Sequence, residues 1–515
     1  MRAASDDPSG LRWLRAAAVC GFAVVWLCSA WVADDAFITF RSVLALFEGF
    51  GPRWNVLERV QVYTHPLWYL LLVALRGLGV QSLYAAALAL GLGLSSLTVS
   101  ILLARARSWV GVVAITALLC ASKSFVEFSS SGLENPLSHL LVVLLLLLGL
   151  GAGPVMAARR GLALGVLLSA IALTRIDLFA LVLPLAGWIL WDAGPGARRG
   201  VVLGLIPLFV WEGWSLLYYG DVVPNTACAK MNHVLPWALR LAQGEAYYSA
   251  SLQVDPVTLP LIALAVLVGL RCGGAVRFAA VGLLLHFVYV GSIPGDFMAG
   301  RMQSAPFVFA VAILATCWSV RRAPLMIVAA LALCGALATP RSPLRADRVP
   351  DTTFVGRTQL ADERAFYADA TTLSFGWDGL RPWYSPRGGW TEPGPWRGAP
   401  PRIEVAWGGI RTFGAGLGPH FIDEMALSDP LLSRLPLISQ GGGWTRPGHL
   451  ARPLPDAYVE SLEAGQNLIA DPAVAALWDD VRIATRAPLG DPRRLRAIAG
   501  TVLCGRAHRA ALLSR

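Results

Sequence analysis

The sequence predicts a polytopic α-helical membrane protein of about eleven spans over residues 1–339, followed by a soluble C-terminal domain, residues 340–515, of mixed α/β or β-rich type. Three observations predict it. The 515-residue chain is 56% hydrophobic and only 15% charged, with mean hydropathy +0.57, where soluble domains carry about 25% charged residues. Apolar stretches recur until about Ala338, and from Thr339 the composition turns abruptly to Pro, Gly, Arg and Asp. Arginine pairs punctuate the apolar runs, generally with two runs between one pair and the next. Together these exclude an ordinary water-soluble enzyme and any disordered or fibrous class. The net charge of +10 raises the question of a polyanionic partner, and its placement answers it. Residues 1–340 carry 22 basic and 15 acidic side chains, a surplus of seven, and the remainder 21 and 18, a surplus of three. Most of the excess thus lies in short links between apolar segments, where it sets topology and does not bind nucleic acid.

Taken in order, the first apolar run, Leu14 to Val32, reads as an anchor that stays in place. It is long for a signal core and ends in Asp34–Asp35, not in a small-residue cleavage site. Ala36 to Phe47 has Phe37, Phe40, Leu44 and Phe47 at three-to-four spacing, which predicts a helix lying along the membrane surface with Asp35 as an acidic cap. Residues 66–104 hold two apolar runs around Arg76 and contribute one or two crossings. Basic pairs at Arg12/Arg15, Arg105/Arg107, Arg159/Arg160, Arg198/Arg199, Arg271/Arg277 and Arg321/Arg322 are expected to stay cytoplasmic. The links carrying Glu127/Glu134, Asp177, Asp221/Asp255 and Asp296 then face the opposite side with Asp34 and Asp35. A last run, Ala323 to Leu337, carries the chain across again, so residues 340–515 should be extracytoplasmic and the crossings odd in number. Several runs are near 15 residues, short for a hydrocarbon core of about 30 Å. Cys20, Cys28, Cys120, Cys228, Cys272, Cys317, Cys334 and Cys504 form no CxxC or Cys/His cluster and read as small hydrophobes.

Adjacent carboxylates at the end of a span are costly, so Asp34 and Asp35 are functional candidates, against simple solvation or helix capping. Glu134 is a second candidate carboxylate, against a cap on the following span. His65 and His286 have no metal-ligand partners at suitable spacing, and His286 reads as a satisfied interior histidine. Trp377, Trp383, Trp390 and Trp396 fall in a Gly/Pro-rich loop, where they either stack on sugars or pack the loop down; His449 reads as part of a turn. There is no Walker motif, dinucleotide fingerprint, nucleophile elbow or zinc spacing.

DDAFITFR (Asp34–Arg41), EGFG (Glu48–Gly51) and VQVYTHPLW (Val60–Trp68) resemble the first external loop of bacterial GT-C glycosyltransferases that use polyprenyl-phosphate sugars. Within them the chain is most similar to the mycobacterial terminal β-(1→2) arabinofuranosyltransferases and their relatives, some labelled flagellar motor control proteins. SGLENPL (Ser131–Leu137), TRID (Thr174–Asp177), VPNTACAK (Val223–Lys230), GDFMAGR (Gly295–Arg301), LSDPLLSRLP (Leu427–Pro436) and RPGHLARPLPDAY (Arg446–Tyr458) follow in order, so the resemblance covers nearly the whole chain. Relatives commonly have Thr where Asn135 stands and Pro where Ile176 stands. Asn135 still hydrogen-bonds, and loss of the proline should relax the turn without removing Arg175 or Asp177.

The resemblance implies a GT-C fold in a cell (plasma or inner) membrane, with the first external loop (residues 34–65) carrying the catalytic acid. It implies a multi-pass enzyme working on the extracytoplasmic side with a polyprenyl-phosphate sugar donor, arabinofuranose in the closest case, and a cell-envelope glycan acceptor. Another sugar such as mannose, or a non-catalytic scaffold for envelope or flagellar assembly, is the alternative. Inverting transfer requires a carboxylate base, for which Asp34 and Asp35 stand, and cations for the departing phosphate. Lys230, Arg301 and Arg175 are the candidates for the latter, against pairing of Arg175 with Asp177 and of Arg301 with Asp296. Glu134, Asp177, Asp296, His65 and Asn225 are candidates for acceptor binding and positioning. No cofactor is required with certainty; a divalent metal is compatible, and no DxD-like cluster beyond Asp34–Asp35 decides it.

Overall fold

The computed structural model describes residues 8–151, 157–231, 233–234, 236–293, 295–318, 322–345, 354–355, 360–373, 402–406, 417–418, 420–438 and 450–513. The chain is predominantly helical with a few short strands. Among the described residues five helices are long and apolar enough to cross a bilayer: Ser9–Ser29, Leu83–Arg105, Ile176–Ala193, Ala197–Tyr219 and Gly274–Ser292. The pair Trp237–Val254 and Thr258–Leu270, bent by 107°, makes a sixth if it is one broken span. The sequence leads one to expect about eleven. The further apolar helices, such as Pro66–Gly77 and Asn135–Leu150, are 10–17 residues long, below the roughly 20 needed to span hydrocarbon alone. Between residues 66 and 104 one helix reaches spanning length. Pro66–Gly77, at 12 residues, extends only about 18 Å.

Contacts divide the chain into two compact units, each built from three separate segments: 1–33, 84–207 and 240–380 in the first; 34–83, 208–239 and 381–515 in the second. Residues 340–515 thus contribute to both.

The first unit has the helix Ser304–Cys317 at its centre, buried on every side from Ser304 to Ala315. A helix that is apolar all round can be stable only in such a position, and this explains an apolar segment too short to serve as an ordinary span. Thr258–Leu270, Asn135–Leu150, Gly274–Ser292 and Trp109–Ala121 pack around it.

The second unit contains the helix Asp34–Phe47. Ten of its fourteen residues are buried, among them Phe37, Phe40, Thr39 and Arg41. The expected surface-lying helix is therefore embedded in protein, because its nominally polar face is also covered. Arg41 is fully buried, donates from Nε to Trp54 O (3.1 Å), and lies over the Trp54 and Phe421 rings at 4.8 and 5.3 Å; burial pulls its guanidinium down to about 9. There are two parallel ladders, Ile403–Ala406 with His420–Asp423 and His233–Val234 with Leu437–Ile438; Ile422 packs with the helices Tyr458–Ala464 and Pro472–Arg486, the latter against Arg493–Gly505. The described C-terminal part is thus mixed α/β. Its core includes Ile422, Leu431, Leu477 and Trp478, with Tyr458 edge-on to Trp478 at 5.1 Å.

One expectation is corrected here: Cys228 and Cys504 are joined in a disulfide, so they are not merely small hydrophobes. Their separation of 276 residues explains why spacing could not reveal it. Leu503 and Cys504 hold positive φ of 56° and 64°, a conformation costing an L-residue roughly 1–2 kcal/mol. Both N–H groups donate to Asp221 at 3.0 Å, and Arg434 Nη2 donates to the same carboxylate at 2.9 Å. Hydrogen bonds and the disulfide together offset that strain. Trp377, Trp383, Trp390, Trp396 and His449 lie outside the described residues.

Candidate functional site

Three sequence motifs of the first unit meet at Glu134. Glu134 precedes the helix Asn135–Leu150, with Pro136 in its first turn, yet gives no side-chain cap to it. Its Oε1 instead accepts from Arg175 Nη1 at 3.3 Å and Arg301 Nη2 at 3.4 Å. Arg175 clamps Asp177 bidentately, Nε to Oδ1 at 3.1 Å and Nη2 to Oδ2 at 2.8 Å. Arg301 Nη1 lies 3.6 Å from Asp296 Oδ2. The result is a largely buried ionic chain, Asp177–Arg175–Glu134–Arg301–Asp296, alternating in sign. Burial acts against the Arg175 charge, but Asp177, Glu134 and Asp296 outweigh it and raise its pKa.

Local backbone explains the convergence. Arg175 is extended (φ −154°, ψ 103°), the conformation a following proline would impose. The Thr174–Asp177 turn thus has extended backbone at Arg175 with Ile176 following it. Gly295 (φ 73°) and Gly300 (φ 82°) bracket GDFMAGR. A Cβ on Gly300 would lie 2.5 Å from Ser124 Oγ, and one on Gly295 2.7 Å from the Tyr247 ring, so only glycine permits the turn that places Asp296 and Arg301. Asn135 Nδ2 donates to Ser304 Oγ at 2.9 Å, as its residue type allows.

Two histidines lie in the field of this chain: His286, within reach of Asp177 and Arg175, and His139, which the motifs do not single out, within reach of Arg175. Among the described residues neither ring nitrogen of His139 has a hydrogen-bond partner, nor has Nε2 of His286. The expectation of a satisfied His286 is thus not met. Sequence reasoning also missed a second buried network. Lys123 Nζ meets Glu127 Oε1 at 2.6 Å and Asp362 Oδ1 at 3.2 Å, while Arg341 reaches Asp362 at 3.1 Å and Arg364 reaches Glu127 at 3.6 Å. Only the Lys123–Glu127 pair, four residues apart on one helix, carried a readable signal.

The second unit holds the remaining predicted residues. Asp34 and Asp35 open the helix Asp34–Phe47; Asp34 is buried, Asp35 half-buried, and Asp34 Oδ1 accepts from Asp35 N–H at 2.7 Å. His65 Nε2 lies 2.7 Å from Thr39 Oγ1, on that helix. Asn225 donates to the carbonyls of Ala426, Leu427 and Asp429 (3.0–3.2 Å) and accepts from Ser433 Oγ at 2.7 Å and Arg434 Nη1 at 3.3 Å, tying VPNTACAK to LSDPLLSRLP. Lys230 lies in the last turn of the helix Asn225–Met231, half-buried, with no carboxylate partner among the described residues. Of the three candidate phosphate-binding cations, Arg175 and Arg301 are held by acids and Lys230 is not.

Among the described residues one group of three potential metal ligands is close enough to share an ion, Asp221, Cys228 and Cys504. It does not fit a metal, because the two sulfurs are bonded to each other and Asp221 serves backbone N–H groups and Arg434. Asp34 and Asp35 belong to no such group.

Fold and site define a multi-helical protein of membrane character with buried ionic chemistry. The terminal β-(1→2)-arabinofuranosyltransferase of Corynebacterium glutamicum is similar to it, 29% identical over 365 residues, covering 59% of this chain and 52% of that protein. The chain spans about half the length of the curated relative it matches. Nothing in that match bears on the flagellar motor label. No family model matches the sequence and no solved structure matches the fold.

Proposed function

We propose that the protein is a multi-pass glycosyltransferase of GT-C type in the cell membrane. It moves arabinofuranose from a polyprenyl-phosphate donor to a cell-envelope glycan at the extracytoplasmic face. In this reading the shorter apolar helices complete eleven crossings, shielded by neighbours as Ser304–Cys317 is, and residues 340–515 lie outside the cytoplasm. The Cys228–Cys504 bond supports that side, since disulfides persist in oxidising compartments.

One of Asp34 and Asp35 accepts the proton of the attacking acceptor hydroxyl. The new glycosidic bond forms at the anomeric carbon as the sugar–phosphate bond breaks on the opposite face, and the electron pair leaves with the polyprenyl phosphate. Lys230 stabilises that phosphate. Arg175 and Arg301 join it only by exchanging a carboxylate for phosphate, because three acids against two guanidiniums leave their chain one charge negative. As it stands, that chain suits sugar hydroxyls, with Glu134, Asp177 and Asp296 as acceptors of their hydrogen bonds. His65 and Asn225 act as positioning residues through Thr39 and the Leu427–Pro436 turn.

The observation that carries the reading is the convergence of SGLENPL, TRID and GDFMAGR on Glu134 in a chain similar to an arabinofuranosyltransferase. The test is transfer from synthetic polyprenyl-phosphoryl arabinofuranose by Asp34→Asn and Asp35→Asn, made singly. At least one should lose about 10²- to 10⁴-fold in rate. Full activity in both retires the base assignment.

A further inference from the structure

Tyr218, near the end of an apolar helix in the second unit, is surrounded by three guanidinium groups. Arg53 Nη2 donates to Tyr218 Oη at 3.2 Å. Arg59 Nε donates to Tyr218 O at 3.1 Å and its guanidinium stands 6.0 Å over the ring; Arg494 Nη2 donates to the same carbonyl at 3.3 Å. Their other hydrogen bonds also go to carbonyls: Arg53 to Val56, Arg59 to Ala484 and Ala487, Arg494 to Ala484 and Leu489.

Two helix C-termini thus face the cluster, Ile206–Tyr219 and Pro472–Arg486. Each supplies about half a negative charge through its dipole. Against three full positive charges this leaves about two uncompensated. The groups acting on Arg59 are two other guanidiniums and Tyr218, and burial with that repulsion brings it down to about 10. The carboxylate that acts on Arg494 is Asp491, which Arg493 already engages. Among the described residues, Arg53 Nε and the buried Tyr69 hydroxyl, which interacts with Tyr218, have no hydrogen-bond partner. Burying cations among carbonyls with no anion to balance them is unfavourable, so the cluster suits an anion of one to two charges.

The same helix says which anion. Phe209, Val210 and Leu217 are 60% or more exposed along a segment apolar enough to span a bilayer, and Trp214 stacks on Tyr218 at 5.0 Å. An apolar face leading to a cationic end suits a molecule with acyl chains and a phosphate. We propose that Arg53, backed by the buried charges of Arg59 and Arg494, binds the phosphate headgroup of an anionic membrane phospholipid, whose acyl chains lie along the Phe209–Leu217 face. The site depends on residence in a bilayer and not on the transfer reaction proposed above.

The test is thermal unfolding of the full chain in neutral detergent with phosphatidylglycerol, with diacylglycerol of the same chains, or with sodium phosphate. Phosphatidylglycerol should raise the midpoint of the wild type by a few degrees. Diacylglycerol and sodium phosphate should not. Arg53→Gln should abolish the rise, and Arg53→Lys, which keeps the charge, should retain about half of it. An equal rise in Arg53→Gln, an equal effect of diacylglycerol or of free phosphate, or no rise in the wild type overturns the proposal. Native mass spectrometry of the wild type needs no variant: one retained phosphatidylglycerol is expected, and none contradicts the site.

Discussion

At the scale of single residues, Glu134 joins two buried ion pairs, Arg175–Asp177 and Arg301–Asp296, into one chain. Glu134→Ala leaves Arg175 with Asp177 and Arg301 with Asp296, so it should destabilise the protein by about 1–3 kcal/mol, the loss of charge-assisted hydrogen bonds, as read by thermal unfolding in detergent. Lys230 offers the opposite case. With no carboxylate partner among the described residues, Lys230→Ala should leave stability within about 0.5 kcal/mol and raise the donor KM, with partial rescue by Lys230→Arg; a large loss of stability would make Lys230 structural. Glu58 sets a pH dependence. Burial would raise its pKa, but His420 and Arg486 outweigh burial and hold it below the usual carboxylate value. A depressed folded pKa gives stability that is present above the unfolded value, about 4.3, and lost as pH falls below it toward the folded one. Arg486→Gln should shrink that acid-side loss in pH titrations of unfolding; an unchanged profile would remove Glu58 as its source.

At the scale of elements, the Cys228–Cys504 bond joins the helix Asn225–Met231 to the C-terminal tail, where Asp221 already gathers Leu503 and Cys504. Cys228→Ser should cost about 2–5 kcal/mol, and reductant should lower the wild-type midpoint but not that of the variant. An insensitive wild type would mean that the hydrogen bonds alone hold the tail. This scale also separates what the sequence made legible from what it did not. The boundaries of the long apolar helices follow from hydropathy, and Glu134, Arg175 and Arg301 could be named because each lies in a short motif. Their mutual distances could not, since they depend on a central helix whose burial hydropathy does not distinguish from membrane insertion. The disulfide and the Arg53–Arg59–Arg494 cluster were illegible for a related reason. Each joins residues hundreds of positions apart, and the cluster is built from backbone carbonyls, which leave no trace in side-chain pattern.

At the scale of the whole molecule, the charge distribution, the apolar helices and the relative from Corynebacterium glutamicum support one account: a membrane enzyme that extends an envelope glycan from a lipid-linked pentose. In the proposed function the basic surplus is read as a topology signal and the acids on the opposite face as the working groups. The account is tested most directly by glycan-linkage analysis of the cell envelope from a strain lacking this chain, with and without a restored copy. It predicts loss of a terminal β-linked arabinofuranose on deletion and its return on complementation with the wild type but not with an inactive Asp34→Asn or Asp35→Asn variant. An unchanged linkage profile on deletion would contradict it.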